Sequence, residues 1–395
     1  MEETLTEGFT AGDRAGSPAA ALAGLRVLDL TRVLAGPLCT QLLGDHGADV
    51  LKIESATGDD TRRLGRPEAD GSAPYFHALN RNKRSAVLDL SEAAGRERLL
   101  QLVAGADILV ENFLPGTMQR WRLDYEQDLA QVNPRLIYCS ISGFGADGPL
   151  GKLPGYDAVA QAACGLMSVN GDETTGPMRI GIPVVDISSG LYATIGILLA
   201  LNERSRSGRG QRVEATLFDS ALSLLMPHAA DWLMQGRPHG VSGNRHPSIA
   251  PYEKFVAADG EVFIGVLNDR QFRRFCERIG SPALAADPRY AGNQDRVANR
   301  DSLIEVVNAQ LRDVAAEALC SDLMSDGIIC ARDDEDVAEV AQRMSDEQVR
   351  RLPVLDSSDR LVGIVSLGDL SREADDDCAS EALEGVSEPG GKHQQ

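Results

Sequence analysis

Between Leu25 and Ser142 the chain switches repeatedly between short apolar, β-prone runs and helical stretches, and this alternation narrows the available folds more than any other feature. LRVLDL (Leu25–Leu30) has strand character. A turn at Gly36-Pro37 and a helical stretch over Leu38–Leu43 lead to a second strand, ADVLKIE (Ala48–Glu54). The pattern recurs with Ala86–Leu90, a helix to about Gly105, the run Asp107–Glu111, another helix, and RLIYCSIS (Arg135–Ser142). Strands separated by helix-length connections predict a mostly parallel sheet, covered by helices and joined by right-handed crossovers.

From Pro227 the texture changes to close turns and short strands, with a hairpin expected at Asp259-Gly260, followed by helical segments over Arg270–Ile279 and Arg300–Leu311. The fold class is therefore α/β: a Rossmann-like parallel-sheet large domain over residues 24–226 and a smaller α+β domain over 227–312. Residues 1–23 read as a disordered lead-in. From Asp313 a third texture begins. LMSDGIICARDDEDVAEVAQRM reads as a short strand and an amphipathic helix, and VRRLPVLDSSDRLVGIVSLGDLS as two strands turned at Ser357-Ser358-Asp359 and a helix start. This short α/β unit spans 313–372. Residues 373–395 form an acidic tail, also expected to be disordered.

Charge separates these regions. The formal net charge is −20, and Asp313 to Gln395 carry 21 acidic against 7 basic residues, or −14 of it. An acid-rich segment of this kind argues against a nucleic-acid footprint, which needs a clustered basic surface, while leaving room for an anionic small ligand. The seven cysteines are scattered without a C-x-x-C pair, so neither a zinc site nor a disulfide framework is indicated, and no metal is expected. The N-terminus lacks the basic and apolar regions of a signal peptide. The longest apolar run, Gly190–Leu201, is shorter than a bilayer needs. Together these predict a soluble cytoplasmic protein with no membrane association.

One acidic residue stands at a chemically suggestive position. In GIPVVDISSGLYATIGILLAL, a β-like run over Ile182–Val185 meets a helix at Asp186. Asp186 may be read in two ways on this pattern: as the helix N-cap, accepting backbone N–H groups, or as a nucleophile toward an acyl group, with neighbouring N–H groups stabilising an oxyanion.

A set of motifs, in order, bears on that choice. GLRVLDLTRVLAGPLCTQLLGDHGADVLKIE, YFHALNRNKRSAVLDL, ENFLPGTMQRW, NPRLIYCSISGFGADGP, GYDAVAQAACGLM, the Asp186 segment, SGRGQRVEATLFDSAL and GNRHPSIAPYEKFVAADG together resemble the class III CoA-transferase family, which includes formyl-CoA and carnitine CoA-transferases. The resemblance covers about 290 residues. It implies an enzyme that moves CoA from an acyl-CoA donor to a carboxylic acid through an aspartyl-CoA thioester on Asp186, with CoA entering as part of the substrate. It implies CoA contacts at Leu34 and Ala35, at Leu79, Asn80, Arg81, Asn82 and Lys83, at Asn112, Phe113 and Leu114, at Arg120 near the CoA phosphates, and at Gly155 and Tyr156. Gly243, Asn244, Arg245 and His246 match the substrate loop. Its GNRHPSIAPY form lacks the glycine run of formyl-CoA transferases and is closer to members using dicarboxylates such as succinate or glutarate. Related α-methylacyl-CoA racemases carry a histidine where Tyr156 stands, so racemisation, which needs two acid/base groups, is the less favoured reading. The family also implies an interlocked homodimer.

The C-terminal unit resembles a single motif of the cystathionine-β-synthase (CBS) type. Ser366 and Asp369 match its ribose-binding pattern, or else form a capping box at the last helix. Such motifs work in pairs, so an adenine nucleotide would need a partner chain. The segment resembling G-V-P-x-x-P, which in the transferases follows the point reached here at Leu311, is absent. A truncated or degenerate transferase fused to a CBS half-module, nucleotide-responsive or inactive, is therefore the alternative to an active enzyme.

Overall fold

Six parallel strands build the sheet that carries the first part of the chain: β1 (Arg26–Asp29), β2 (Asp49–Glu54), β3 (Lys83–Val87), β4 (Ile108–Glu111), β5 (Ile137–Ser142) and β6 (Arg212–Thr216). Their order is β3-β2-β1-β4-β5-β6, and every neighbouring pair is parallel. This is the doubly wound order in which the winding direction reverses between β1 and β4, and ligands bind outside the carboxyl ends of the strands at that reversal. The structure, a computed structural model, describes residues 20–66, 73–316, 330–347, 351–357 and 360–366. It divides into two compact units after Gly243.

Both faces of the sheet are buried, which is why its strands read as nearly continuous apolar runs. Val27, Ile108, Val110, Ile137 and Cys139 face one layer, containing the helices Ala35–Asp45 and Val184–Ser207. Leu28, Leu51, Ile53, Leu109 and Tyr138 face the other, where Leu99 and Val103 of the helix Ala93–Val103 close the core. Each such side chain contributes about 1.5–3 kcal/mol by leaving water.

Four features depart from the sequence expectation. The third strand starts at Lys83, three residues before the run Ala86–Leu90, because Val50 through Glu54 pair with Lys83 through Val87. A sixth strand, RVEAT, extends the sheet beside β5. The helix bearing Asp186 begins at Val184, inside the run that reads as β-like, and continues for 24 residues to Ser207. At that length it is long and apolar enough to cross a membrane, unlike the shorter run seen in the sequence. One side of it packs here on the sheet through Val185, Ala193, Ile197 and Ala200. The first unit also runs past residue 226. Ala229, in the helix His228–Gln235, packs against its core, and the Gly243 N–H donates to the Gly171 carbonyl at 2.7 Å.

The second unit holds the expected hairpin. Tyr252–Val256 pairs antiparallel with Glu261–Gly265, and the Ala257 N–H donates to the Gly260 carbonyl across the turn. Phe255, Phe272, Phe275, Tyr290, Leu303 and Val307 form its core with the helices Asp269–Arg278 and Arg300–Leu311. The fully buried Arg296 donates to the carbonyls of Ala250 and Tyr290 and to Asp269. Farther on, Ala331–Arg332, the helix Val337–Glu347, and the strands Arg351–Leu355 and Leu361–Ser366 make the expected strand-helix-strand-strand succession around Met344 and Leu352. The sequence-predicted tail 373–395, and all of the lead-in except residues 20–23, lie outside the described residues.

Candidate active site

The loop leaving β1 is held from three sides. Asn112, just past β4, donates from Nδ2 to the Arg32 carbonyl at 2.7 Å and accepts from the Arg32 N–H at 2.9 Å. The next residue, Val33, has a φ of 69°, a left-handed conformation that is costly for a β-branched side chain and persists only where the surroundings enforce it. Its N–H donates to Asp59 Oδ1. Leu34 and Ala35 follow and are buried at the start of the first long helix. Beside this loop lies a cavity of about 340 Å³, walled by Leu30, Ile53, Leu88, Leu90, Phe113 and Trp121, with Arg32, Glu54, Asp59 and Asp89 at its polar margins. Phe113 meets Trp121 edge to face, with ring centroids 5.2 Å apart.

Beneath the loop sits a buried charge cluster. Asp29, the last residue of β1, accepts from Thr31 and Thr40 and from Lys83 Nζ at 3.0 Å. Lys52 donates to the Thr31 carbonyl at 2.7 Å and lies 3.1 Å from Asp59 and 4.0 Å from Asp29. Burial alone would raise the Asp29 carboxyl. Lys52 and Lys83, with the two threonine hydroxyls, overcome it and hold the group well below the usual carboxylate range. Lys83 also donates to the Pro37 carbonyl and to Asn80 Oδ1, so its ammonium is spent inside the protein. Of the same stretch, Arg81 and Asn82 reach Asp45 at the surface, and Leu79 is half-buried.

Asp186 is differently placed. It is the third residue of its helix, and Pro183 stands at the N-cap without a side-chain bond, so Asp186 does not cap its own helix. The neighbouring N–H groups are also occupied. Those of Val185 and Asp186 donate to Asp157 Oδ1 at 2.8 and 3.2 Å, and that of Ile187 donates to the Pro183 carbonyl. They are not available as an oxyanion hole in this arrangement. Among the described residues none donates a hydrogen bond to the half-buried Asp186 carboxylate. Burial, together with the charge of Asp157, pushes it up to about 7. Tyr75, on the helix Pro74–Asn80, lies within electrostatic reach: burial and the charges of Asp186, Asp157 and Asp59 raise its phenol. One turn after Asp186, Gly190 lies against the Ala35 carbonyl oxygen, where a Cβ would stand only 2.7 Å away. That contact sets the start of the Asp186 helix beside the Leu34-Ala35 loop.

A family model described as CoA-transferase family III matches residues 22–362. The chain belongs to this family. A succinate–glutarate CoA-transferase of Agrobacterium fabrum is 44% identical over 296 residues, covering 73% of this chain and 74% of that protein. An acetyl-CoA:oxalate CoA-transferase of Acetobacter aceti is 43% identical over 282 residues, covering 71% and 72%. Among solved structures, a CAIB/BAIF family protein from Brucella suis is 42% identical with a TM-score of 0.68, covering 78% of this chain and 82% of that one. This CoA-transferase accordingly moves CoA from an acyl-CoA to a carboxylic acid.

In the transferase, Leu34, Ala35, Asn112, Phe113 and Leu114 gather at the strand-order reversal. Arg120 is exposed nearby on the short helix Thr117–Arg120, bonded to Thr117 Oγ1 and paired with no carboxylate among the described residues. Gly155 packs on Gly143, where a Cβ would meet backbone at 2.7 Å, and this anchors the turn into the helix Asp157–Ala163. Tyr156, at the N-cap, is 69% exposed. The expected substrate loop is divided: Gly243 closes the first unit, and Asn244, Arg245 and His246 open the second. Arg245 bonds Glu253 and Asp301. His246 accepts from the Ser248 N–H and stacks edge-on with Tyr252, and burial with the Arg300 charge lowers its imidazole. Ser366 ends the last described strand, and Asp369 lies outside the described residues. Asp59 and Trp121 line the cavity, and Asp157 and Tyr75 lie within electrostatic reach of Asp186, although their motifs alone give none of them a role.

Proposed function

We propose that this transferase works through the Asp186 carboxylate, with dicarboxylic acids as its acid substrates. The observation that carries the reading is a half-buried carboxylate with no hydrogen-bond donor among the described residues, pushed up to about 7. Such a group is poorly solvated, and desolvation raises the reactivity of an oxygen nucleophile. In the first step an Asp186 oxygen attacks the donor thioester carbonyl carbon. The C–S bond breaks, giving a mixed anhydride and CoA thiolate. The thiolate then attacks the Asp186 acyl carbon and expels the donor acid, leaving an aspartyl-CoA thioester. The acceptor carboxylate attacks that thioester, thiolate leaves again, and its attack on the acceptor's acyl carbon regenerates the Asp186 carboxylate. No net proton or water is consumed. The choice of dicarboxylates rests on the form of the GNRHPSIAPY loop and on the acids in the relatives' names.

CoA would lie along Leu34-Ala35 and Leu79–Lys83, past Gly155 and Tyr156, with Asn112–Leu114 and the apolar cavity beside Phe113 and Trp121 suited to a flat ring and Arg120 to phosphate. Homodimerisation has support from the second side of the Asp186 helix, where Leu191, Tyr192, Ile195 and Leu199 are exposed. A patch of that kind marks an interface more often than a solvated surface. The C-terminal unit is read as a CBS half-module that takes an adenine nucleotide only with a partner chain. The enzyme is read as cytoplasmic. The deciding experiment is incubation of the whole protein with succinyl-CoA, followed by hydroxylamine and mass spectrometry. A hydroxamate on Asp186 is expected, and full turnover by Asp186→Ala would sink the proposal.

A further inference from the structure

Asp157 does more than begin a helix. One carboxylate oxygen, Oδ1, receives the N–H groups of both Val185 and Asp186. The other receives Gln161 Nε2 at 2.6 Å, and Gln161 Oε1 in turn accepts the Ile180 N–H at 2.9 Å. The helix Asp157–Ala163 thus grips the entering strand of chain at Ile180 and the first helical turn at Val185-Asp186. Asp157 is itself buried, and the Gly143–Gly155 contact fixes the backbone from which it projects. An acid that accepts from a helix N-terminus normally belongs to the capping residue of that helix. Here it comes from 28 residues earlier and stands beside another acid.

We propose that Asp157 is a positioning residue of the transfer reaction, holding the first turn of the Asp186 helix by hydrogen bonds from the Val185 and Asp186 N–H groups and keeping a second carboxylate beside the reacting one. The proposal rests on the reading of Asp186 as nucleophile. A neutral acceptor would cap the turn without opposing ionisation of Asp186, and a cation would pair with Asp186 and quench it. A carboxylate both orients Asp186 and denies it a stabilising partner. Among the described residues, the charged groups on the other elements packed on this helix have partners of their own, and Arg179, just before it, donates to the Ile180 and Gly181 carbonyls. Asp45 lies at the far end of the helix Ala35–Asp45 and is tied to Arg81, whereas Cys39 is a buried thiol raised by desolvation. Arg212 and Glu214 of β6 pair with each other, and Asp219 bonds Thr216. Tyr75 lies within electrostatic reach, and burial with the charges of Asp186, Asp157 and Asp59 raises its phenol away from neutrality.

The test uses the full chain and a succinyl-CoA to glutarate assay across pH 5 to 9, with Asp157→Ala, Asp157→Asn and Asp186→Ala. Asp157→Ala loses the clamp, and kcat falls at least about tenfold, since small misplacements of a reacting group are costly. Asp157→Asn keeps an oxygen for the two N–H groups and recovers part of kcat. It removes the charge, so the acid limb of kcat/KM moves to lower pH by more than about half a unit. A purely structural role would lower the melting temperature and the folded fraction, but it would leave that limb in place. An unmoved limb in a folded Asp157→Asn enzyme overturns the proposal while Asp186→Ala is inactive. If Asp186→Ala turns over normally, the underlying reading of Asp186 fails instead.

Discussion

Asp29 and Asp186 are acids of the same unit, both withdrawn from water, and they are equipped in opposite ways. Asp29 has two lysines, two hydroxyls and an N–H around it. Asp186 has an acid beside it and no donor among the described residues. Burial disfavours both anions. Around Asp29 the partners win and the carboxyl is held far down, whereas around Asp186 no donor or cation among the described residues opposes burial and the group is pushed up to about 7. The first arrangement ties β1, β2, β3 and the loop toward the cavity together. The second stores unfavourable free energy in the folded state, as groups with strongly shifted titration at functional sites do.

The largest effect separates the two by function. Asp186→Ala is expected to reduce kcat about a thousandfold or more, as loss of a covalent nucleophile does, with the melting temperature unchanged or higher. Steady-state assay beside thermal melting checks both halves. Asp29→Ala should do the reverse. It strands Lys83 without its anion, while Lys52 keeps Asp59 at 3.1 Å, and breaking such a buried pair costs about 3–5 kcal/mol, readable as a lower urea midpoint at constant slope.

Next in size is the dependence on pH, where the two acids have opposite signs. The folded-state value of Asp29 is depressed, so its stabilisation is present above the unfolded value near 3.8 and lost as pH falls. That of Asp186 is raised, so the folded state binds the proton more tightly. Stability is then greatest below 3.8 and declines as pH rises toward about 7. Asp186→Asn should remove that decline and gain roughly 2–4 kcal/mol at pH 8 in urea unfolding. A gain of equal size at pH 4 would contradict the assignment. In turnover, if ionised Asp186 attacks, kcat/KM falls roughly tenfold for each pH unit below about 7.

These two acids also mark what was legible in the sequence. β1, β2, β4 and β5 stand out because their signal is local: apolar runs buried on both faces, cut by turns. Asp186 stands out because its surrounding motifs are contiguous. β3 is misplaced by three residues because Lys83 is drawn inward by Asp29, 54 positions earlier, and a lysine in a polar run reads as surface. The helix start at Val184 is hidden because β-branched valines favour strands, and the turn is capped by Asp157 from outside its own segment. Arg245 shows the same limit. It stands in the expected substrate loop, and its partners in the fold, Glu253 and the distant Asp301, leave no local trace. Long-range charge pairing leaves no periodicity to read.

The smallest expected effect tests the phosphate end of the same site. Arg120 is exposed and lacks an acidic partner among the described residues, in contrast to Lys83, whose ammonium is committed to Asp29, Pro37 and Asn80. An unpaired guanidinium can form charge-assisted bonds to phosphate without first breaking a salt bridge. In the proposed placement of CoA it would lie far from the thioester and bind ground state and transition state alike. Arg120→Ala should therefore raise KM for succinyl-CoA about tenfold while kcat holds within about twofold. The rise should shrink in high salt, because exposed charges are screened. Arg120→Lys should recover only part of it, since an ammonium lacks the planar fork. A fall in kcat at unchanged KM would move Arg120 from the binding of CoA to the reacting carbonyl, and the division between a phosphate end and an Asp186 end would have to be redrawn.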